Sequence, residues 1–325
     1  MAVSCCLGGD RGLSVEHWEA YYRDGAIAAC PMGPSSSYTL ELRDIWLAFF
    51  AELADGARIL DLGTGNGALP LLAKEAAASA GKHFEIHGTD LAAIDPARHV
   101  PNGAALFVDV IFHPGMRSEQ LDFEPAAFDA VTGQYSLEYA NVDQALTEVR
   151  RVLKPGGRAQ FVLHHDQSVL VRNARQSLMQ ASLVLEETKI LRKLRRHGDL
   201  AGKSANNQRI TWATLSQAMT QLQQAAAATP QSHLLLVVLD AVRKLLNIQR
   251  QSPPAVWQRE VDRFERNLRA SVRRLQDLVS VAQSVEKMDS IVAAARRLGF
   301  ACEPPQLQLH AGDKLVGWRL VLSSP

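Results

Sequence analysis

The sequence predicts an α/β fold in which a doubly wound, mostly parallel sheet carries a large all-helical insertion late in the chain. Between residues 58 and 163, short apolar runs alternate with segments of helical periodicity, which is typical of a parallel sheet covered by helices. From residue 166 to about 286, glycine nearly vanishes and apolar residues recur every three or four positions, as in packed helices. With 325 residues and 47% hydrophobic content, the chain has the material for a sizeable core.

Five strands are expected in the first region, each a short apolar run that ends at a loop or a glycine turn. They are Arg58–Leu62, His83–Thr89, Ala105–Val110, Phe128–Thr132 and Arg158–Leu163. The helices expected before and between them are Val15–Tyr22, Tyr38–Leu53, Ala68–Ala80 and Val142–Leu153. Ser36 or Ser37 is the expected N-terminal cap of the second helix.

The insertion is expected to hold four helices, separated by Gly- or Pro-containing breaks. They are Ser168–Arg196, Thr211–Ala227, Ser232–Arg250 and Ala255–Ser284. A last helix, Ser290–Leu298, and a hairpin of two strands, Pro305–His310 and Leu315–Leu322, follow it. We therefore divide the chain into residues 1–165, with the N-terminal helices and the sheet core, residues 166–286, the insertion, and residues 287–325, which complete the sheet.

Composition narrows the class of protein. The cysteines have no metal-ligand spacing and form no disulfide framework, so neither a metal site nor an oxidising compartment is expected; they are Cys5, Cys6, Cys30 and Cys302. No apolar run approaches the roughly 20 residues of a membrane span, and the start of the sequence lacks the basic and apolar regions of a signal peptide. We expect a cytoplasmic protein.

The net charge of +1 is unevenly distributed. Residues 1–163 hold 12 Lys and Arg against 21 Asp and Glu, whereas residues 164–325 hold 23 against 13. A basic second half is compatible with a basic binding face, and equally with a basic domain that docks on an acidic one. The second interpretation is preferred slightly.

The turn after the first strand is the strongest local motif. Asp61 ends a buried run, and Gly63, Gly65 and Gly67 follow at spacing two before a helix begins. Glycine permits a positive φ and a close approach of the backbone to a ligand. The spacing differs from the dinucleotide-binding fingerprint, which has two residues between its second and third glycines.

Five features in order resemble the class I S-adenosylmethionine (SAM)-dependent methyltransferases. They are the Asp61–Gly67 turn, an acid after the second strand and another after the third, Phe128-Asp-Ala-Val-Thr-Gly133, Leu153-Lys-Pro-Gly-Gly157, and a terminal helix with a hairpin. The sequence is most similar to the small-molecule group typified by ubiquinone and menaquinone biosynthesis. The resemblance covers about residues 15–165 and 288–321, and it implies a Rossmann-like sheet of seven strands.

The resemblance implies a set of cofactor contacts. Asp61, Gly63, Gly65 and Gly67 would lie beneath the methionine part of SAM, and Asp90 would accept hydrogen bonds from both ribose hydroxyls. Leu91 would pack on the adenine ring, with Asp109 and the Val110 amide at its polar edge, and Gln134 would lie near the methionine or the transferring methyl. In members of the family, a helix placed like Val15–Tyr22 often closes over the cofactor.

Methyl transfer requires alignment and exclusion of water, and a base only if the nucleophile is protonated. His164 and His165 follow the fifth strand and are the candidate bases, although neighbours on a strand point to opposite faces. A merely local hydrogen-bonding role is an equal alternative for each. Tyr135 is the third candidate at the reacting centre.

These observations predict an enzyme that methylates a small or medium organic acceptor at oxygen, carbon or nitrogen, with S-adenosylhomocysteine (SAH) as the second product. The alternatives are an RNA methyltransferase that uses the basic insertion, and a SAM-binding scaffold without catalysis. Stacking aromatics are nearly missing from the insertion, so nucleic acid is not the expected partner. The insertion would serve as a lid over the acceptor or as a homodimer interface.

Overall fold

One sheet of eight strands forms the centre of the computed structural model, which describes residues 15–28, 38–200 and 204–325. Cys5, Cys6, Cys30 and the expected cap at Ser36 or Ser37 lie outside these residues. The strands are β1 Arg58–Leu62, β2 Glu85–Asp90, β3 Val110–Pro114, β4 Phe128–Gln134, β5 Leu153–Leu163, β6 Ala301–Cys302, β7 Gln306–His310 and β8 Lys314–Ser323.

The strand order is β3-β2-β1-β4-β5-β8-β6, with β7 also paired to β8. The first five strands are parallel, and β8 runs antiparallel to β5. The sheet has eight strands where seven were expected, because β6 and β7 pair with the same edge of β8 as two pieces. Pro304 and Pro305 lie between the pieces, and proline has no N–H to donate to a strand ladder.

The third strand lies about five residues later than predicted. Residues Gly103–Leu106 form the short helix α5, which follows α4 at Pro96–His99, and the strand begins at Val110. Val110 pairs with Ile86 at the start of β2, and Pro114 ends the strand. The expectation that Asp109 follows the third strand is therefore wrong. Asp109 precedes the strand and lies at its amino end, opposite the carboxyl ends of the parallel strands.

Helices cover both faces of the sheet, so the fold is mixed α/β with a central sheet. On one face, α2 (Leu40–Ala51) and α3 (Ala68–Ala80) enclose a core that includes Trp46, Phe50 and Ile59. On the other, α6 (Val142–Val152) and α12 (Val285–Arg297) enclose a core that includes Phe128 and Phe161. The N-terminal helix α1, Glu16–Arg23, lies close to the end of β2.

Between β5 and α12 the chain is helical. The helices are α7 Val169–Ser182, α8 Ile190–Asp199, α9 Ala205–Ala228, α10 His233–Gln251 and α11 Pro254–Val281. The first predicted helix of this segment is two helices, because a π-helical turn at Leu183–Glu187 and a positive φ at Lys189 separate α7 from α8. No helix in the described part of the chain is long and apolar enough to cross a membrane.

The helical segment has an apolar core of its own and is attached to the sheet at both ends. Its core includes Leu194 of α8, Leu215 of α9, Val238 of α10 and Val261 of α11. A smaller cluster, which includes Val171 and Leu278, joins α7 to α11. At the base of the segment, His165 forms a β-bridge with Gln283.

The contact between Gly198 and Trp257 gives a test of the packing within this segment. A Cβ on Gly198 would lie 2.1 Å from Cη2 of the Trp257 indole, and Trp257 is buried. We expect Gly198→Ala to lower the free energy of unfolding by about 1–3 kcal/mol in urea titrations followed by circular dichroism, because the overpacking outweighs the better helix propensity of alanine. In a Trp257→Phe background, the smaller ring lacks the atoms that the new Cβ would meet. The same Gly198→Ala change should then lower the free energy of unfolding by less. Unchanged or higher stability of the single variant would contradict this packing.

Candidate active site

A pocket opens at the carboxyl ends of β1, β2 and β4, where the parallel strands meet the loops that follow them. The residues that line it include Asp61 near the end of β1, Gly63 and Gly65 in the turn after it, Asp90 and Leu91 at the end of β2, and Gln134 and Tyr135 at the end of β4. Open α/β sheets commonly bind ligands at this edge. Most of the predicted cofactor residues are therefore brought together in one cavity.

The glycines of the turn have positive φ and are closely packed by protein side chains. A Cβ on Gly63 would lie 2.5 Å from the Ser136 Cβ, and a Cβ on Gly65 would lie 2.5 Å from the Tyr22 ring. Gly63 and Gly65 line the pocket. Gly67 is the N-terminal cap of α3 and is not among the residues that line the pocket. A Cβ added to it would lie 2.6 Å from the Phe107 ring, so the position is closely packed.

Asp61 is a buried carboxylate without a basic partner in the described residues. The hydroxyl of Thr132 on β4 donates to its Oδ1 at 2.9 Å. Burial raises the pKa of Asp61 to about 7, and the nearby carboxylate of Asp90 adds to the rise. A cationic group of a ligand beside Asp61 would favour its charged form.

Asp90 ties the end of β2 to the glycine turn. Its Oδ2 accepts from the backbone N–H of Gly65 and its Oδ1 from that of Ala92, both at 2.8 Å. Burial raises its pKa to about 6 despite these two hydrogen bonds. Each oxygen keeps a second lone pair, so the carboxylate can still accept from a ligand hydroxyl.

At the end of β4, Gln134 and Tyr135 both line the pocket. The Gln134 side chain is buried, and its Oε1 accepts from the indole N–H of Trp46 on α2. Tyr135 has a φ of +54°, and its hydroxyl donates to the carbonyl of Val316 at 3.2 Å. The unusual backbone conformation turns the chain from β4 into the 3-10 turn Leu137–Tyr139 that borders the pocket.

The two candidate histidine bases are not among the residues that line the pocket. His164 is completely buried and stacks on the Tyr135 ring with centroids 4.2 Å apart, and burial lowers its pKa to about 3. His165 points to the opposite face and stacks on Trp318 at 4.5 Å. Burial lowers the pKa of His165 too, and its Nδ1 accepts from the N–H of Gln167. Of the three catalytic candidates, only Tyr135 reaches the cavity.

Asp109 and Val110 are also not in the pocket. Asp109 is an exposed residue whose carboxylate lies 3.7 Å from the Lys74 ammonium. Because β3 begins at Val110, the residues after its carboxyl end are Gly115 and those beyond, and Met116 and Arg117 line the cavity. Correct placement of the third strand would have directed attention to these two residues.

Helix α1 forms a roof over the pocket, and it is held from both sides. From below, the buried Asn66 of the glycine turn donates to the carbonyls of Tyr22 at 2.7 Å and Ala26 at 2.8 Å. Tyr22 and Trp18 line the cavity, and the Trp18 ring meets the Tyr139 ring edge-on at 5.7 Å. Two aromatic residues of the expected first helix, Trp18 and Tyr22, thus belong to the pocket.

On the side away from the glycine turn, α11 of the helical segment contacts α1. Asp277 Oδ2 lies 2.6 Å from His17 Nε2, and the guanidinium of Arg274 donates to the His17 carbonyl at 3.0 Å. The same guanidinium lies over the Tyr21 ring at 4.4 Å from its centroid. Asp277 also lines the pocket, so the helical segment contributes directly to its wall. Sequence reasoning missed Asp277, because nothing local distinguishes it from the other charged residues of α11.

Comparisons with known proteins bear on the part of the chain that builds this site. Residues 59–157 match the family model described as "Methyltransferase domain". A demethylmenaquinone methyltransferase of Thermus thermophilus is 39% identical over 104 residues, which are 31% of this chain and 44% of that protein. A ubiquinone/menaquinone biosynthesis C-methyltransferase of Xylella fastidiosa is 30% identical over 130 residues, 38% of this chain and 50% of that protein.

The chain thus spans half or less of the length of the curated relatives it matches. Among solved structures, the 1,6-didemethyltoxoflavin-N1-methyltransferase of Burkholderia thailandensis is similar with a TM-score of 0.32 and 20% identity, over 38% of this chain and 52% of that one. A TM-score at this level carries no weight for function, so the sequence matches are the relevant comparison.

The buried acid Asp61 predicts a pH-dependent stability. A carboxyl whose pKa is raised on folding contributes stability that is present below about pH 4 and is lost as pH rises towards 7. Asp61→Asn removes that loss, so its melting temperature relative to the unmodified protein should be higher at pH 7.5 than at pH 5. Thermal melts at the two pH values, with the exposed Asp44→Asn as control, measure the difference. Equal offsets at both pH values would refute a raised pKa.

Proposed function

Because residues 59–157 are a methyltransferase domain of the class I SAM-dependent family, we propose that this chain is an enzyme that transfers a methyl group from SAM to a small or medium organic acceptor. The observation that carries the proposal is the pair of buried acids, Asp61 and Asp90, on either side of the glycine turn in a pocket at the strand ends. The acceptor atom is an oxygen, a carbon or a nitrogen.

The residues of the pocket fit this cofactor. SAM carries a sulfonium and an ammonium, and Asp61 and Asp90 are acids that gain from a nearby positive charge because burial disfavours their ionisation. Gln134 and Ser136 line the same cavity, and each has a buried polar atom without a hydrogen-bond partner in the described residues. A polar ligand would supply the hydrogen-bond partners that these atoms lack, whereas an apolar cleft would have no such atoms to satisfy.

We propose the following roles. Asp61, Gly63 and Gly65 hold the methionine part of the cofactor, Asp90 accepts from the ribose hydroxyls, and Leu91 packs on the adenine. Met116 and Arg117 take the place at the adenine that was expected of Asp109 and Val110, since they follow β3 into the cavity. Gly67 supports α3 and needs no contact with the cofactor.

When bound, SAM supplies a methyl group on a good leaving group, so the chain has to align the acceptor and exclude water. The roof of Trp18 and Tyr22 over the glycine turn would do the second. Tyr135 directly follows β4 and Tyr139 lies in the 3-10 turn after it, where both would orient the acceptor. His164, with a pKa near 3 and no access to the cavity, is a poor base, and we assign it and His165 to packing.

We propose that residues 166–286 act as a lid on the core formed by the rest of the chain. The support is that α11 places Asp277 in the pocket wall and pairs it with His17 of the roof. Arg195 belongs to the basic run Lys189–Arg196 and is paired with Asp262 and Glu265 of α11, so part of this run forms ion pairs inside the segment. This pairing favours the lid over an RNA-binding surface.

The first test is calorimetric titration with SAM and SAH. We expect both to bind, and Asp90→Ala to weaken SAH binding at least tenfold, about 1.4 kcal/mol, because the ribose loses its acceptor. The matched control is Asp109→Ala, which removes an exposed carboxylate outside the pocket and should leave the affinity unchanged. Absence of binding by both ligands would refute the proposed function, and a stronger effect of Asp109→Ala than of Asp90→Ala would reverse the assignment.

The second test concerns the lid. Asp277→Ala removes the partner of His17, so amide hydrogen exchange in Glu16–Arg23 should accelerate severalfold, while exchange in Ala68–Ala80 stays the same. Mass spectrometry of peptides from the two helices measures both. The control is Asp240→Ala on the exposed side of α10, which should alter neither. Unaltered exchange in the first helix would show that α11 does not hold the roof.

A further inference from the structure

Gln134 stands at the end of β4 in a setting that defines the orientation of its carboxamide. Its Oε1 accepts from the indole N–H of Trp46, and an indole N–H can only donate. The amide oxygen must therefore face Trp46, and the NH2 group must face away from it. Trp46 itself is fully buried and is packed by Phe49 edge-on at 6.3 Å and by Phe50 in a stacked geometry at 6.1 Å.

The Gln134 NH2 group is a buried donor that has no acceptor among the described residues. The side chain is 5% exposed and lines the pocket. A buried donor left unpaired destabilises the fold, so a donor fixed in a ligand cavity is left to be satisfied by the ligand. The group that fits it is a hydrogen-bond acceptor, and an anionic oxygen fits best.

An acid lies beside this donor on the same face of the sheet. Thr132 and Gln134 are two residues apart on β4 and point to the same face, about 7 Å apart along the strand. The Thr132 hydroxyl donates to Oδ1 of Asp61 at 2.9 Å, so the Asp61 carboxylate lies next to Thr132. An acceptor for a cation and a donor for an anion at this separation are complementary to the two charged ends of an α-amino acid.

We propose that Trp46 is a positioning residue that fixes the Gln134 amide so that its NH2 group binds the α-carboxylate of the methionine part of the cofactor, while Asp61 receives the ammonium. The proposal rests on the proposed function, because it names the ligand of the same pocket. Trp46 lies outside residues 59–157, so a helix upstream of the matched domain completes the domain's ligand site.

The proposal predicts a selectivity that a purely structural role of Trp46 does not. SAH and 5′-methylthioadenosine share the nucleoside and the thioether, but only SAH has the carboxylate and the amine. Loss of the oriented donor should therefore weaken SAH and leave 5′-methylthioadenosine unaffected. A core defect that distorts the pocket should weaken both ligands together.

The experiment is calorimetric titration of both ligands, with 5′-methylthioadenosine also measured by displacement of SAH, against the full chain and three variants. Trp46→Phe removes the N–H but keeps an aromatic ring, and Gln134→Glu keeps an acceptor for Trp46 while it places a negative oxygen towards the ligand carboxylate. We expect each to weaken SAH at least fivefold and 5′-methylthioadenosine less than twofold. Phe50→Leu, which perturbs the packing around Trp46 and keeps the hydrogen bond, is the control and should leave the ratio of the two affinities unchanged.

Wild-type SAH affinity in Gln134→Glu, or equal weakening of both ligands by Trp46→Phe and Gln134→Glu, would overturn the proposal. If Trp46→Phe does not fold, Gln134→Glu alone decides. If the unmodified chain binds 5′-methylthioadenosine as tightly as SAH, the positioning role falls while the proposed function stands. If it binds neither, the proposed function falls first.

Discussion

The site depends on the burial of two carboxyl groups, Asp61 and Asp90, without a basic partner in the part of the chain described. Each lies at the carboxyl end of a parallel strand, and burial holds both pKa values well above their ordinary range. The free-energy cost of ionising these buried carboxyl groups is only partly offset by hydrogen bonds from the Thr132 hydroxyl and from two backbone N–H groups. A pocket built in this way lacks positive charge, which the ammonium group of a ligand would supply.

The other elements of the site surround these two carboxyl groups. The glycine turn brings the Gly65 N–H to Asp90, and the absence of side chains on Gly63 and Gly65 lets Ser136 and Tyr22 approach. Asn66 then holds the end of α1 over the turn. The helical segment adds a second attachment from above through Asp277, so elements from three distant parts of the chain close one cavity.

Much of this site was predictable from the sequence, because parallel strands bring their carboxyl ends to one edge. Residues at the carboxyl ends of β1, β2 and β4 had to meet there once the strands were recognised, and Asp61, Asp90 and Gln134 do so. The third strand was misplaced because two short apolar runs adjoin Asp109, and runs of that length do not distinguish a helical turn from a strand. The error moved the predicted adenine contact to the wrong end of the strand.

Contacts between residues far apart in the sequence had no local signal. Trp46 and Gln134 are 88 residues apart, and His17 and Asp277 are 260 apart, yet each pair shapes the pocket. The same holds for His164 and His165: their position after β5 suggested access to the ligand, whereas stacking on Tyr135 and Trp318 turns both rings into the protein. Side-chain partners decide such cases, and strand ends alone do not.

The central claim is that the ammonium of the ligand compensates the buried acid Asp61, and proton release on binding tests it most directly. Titration of SAH at pH 6.5 in buffers of different ionisation enthalpy gives the number of protons exchanged. The account predicts net release of protons, because the ligand ammonium lowers the pKa of Asp61, and a smaller release in Asp61→Asn. Tight binding with no proton exchange, or the same release in the variant, would contradict it.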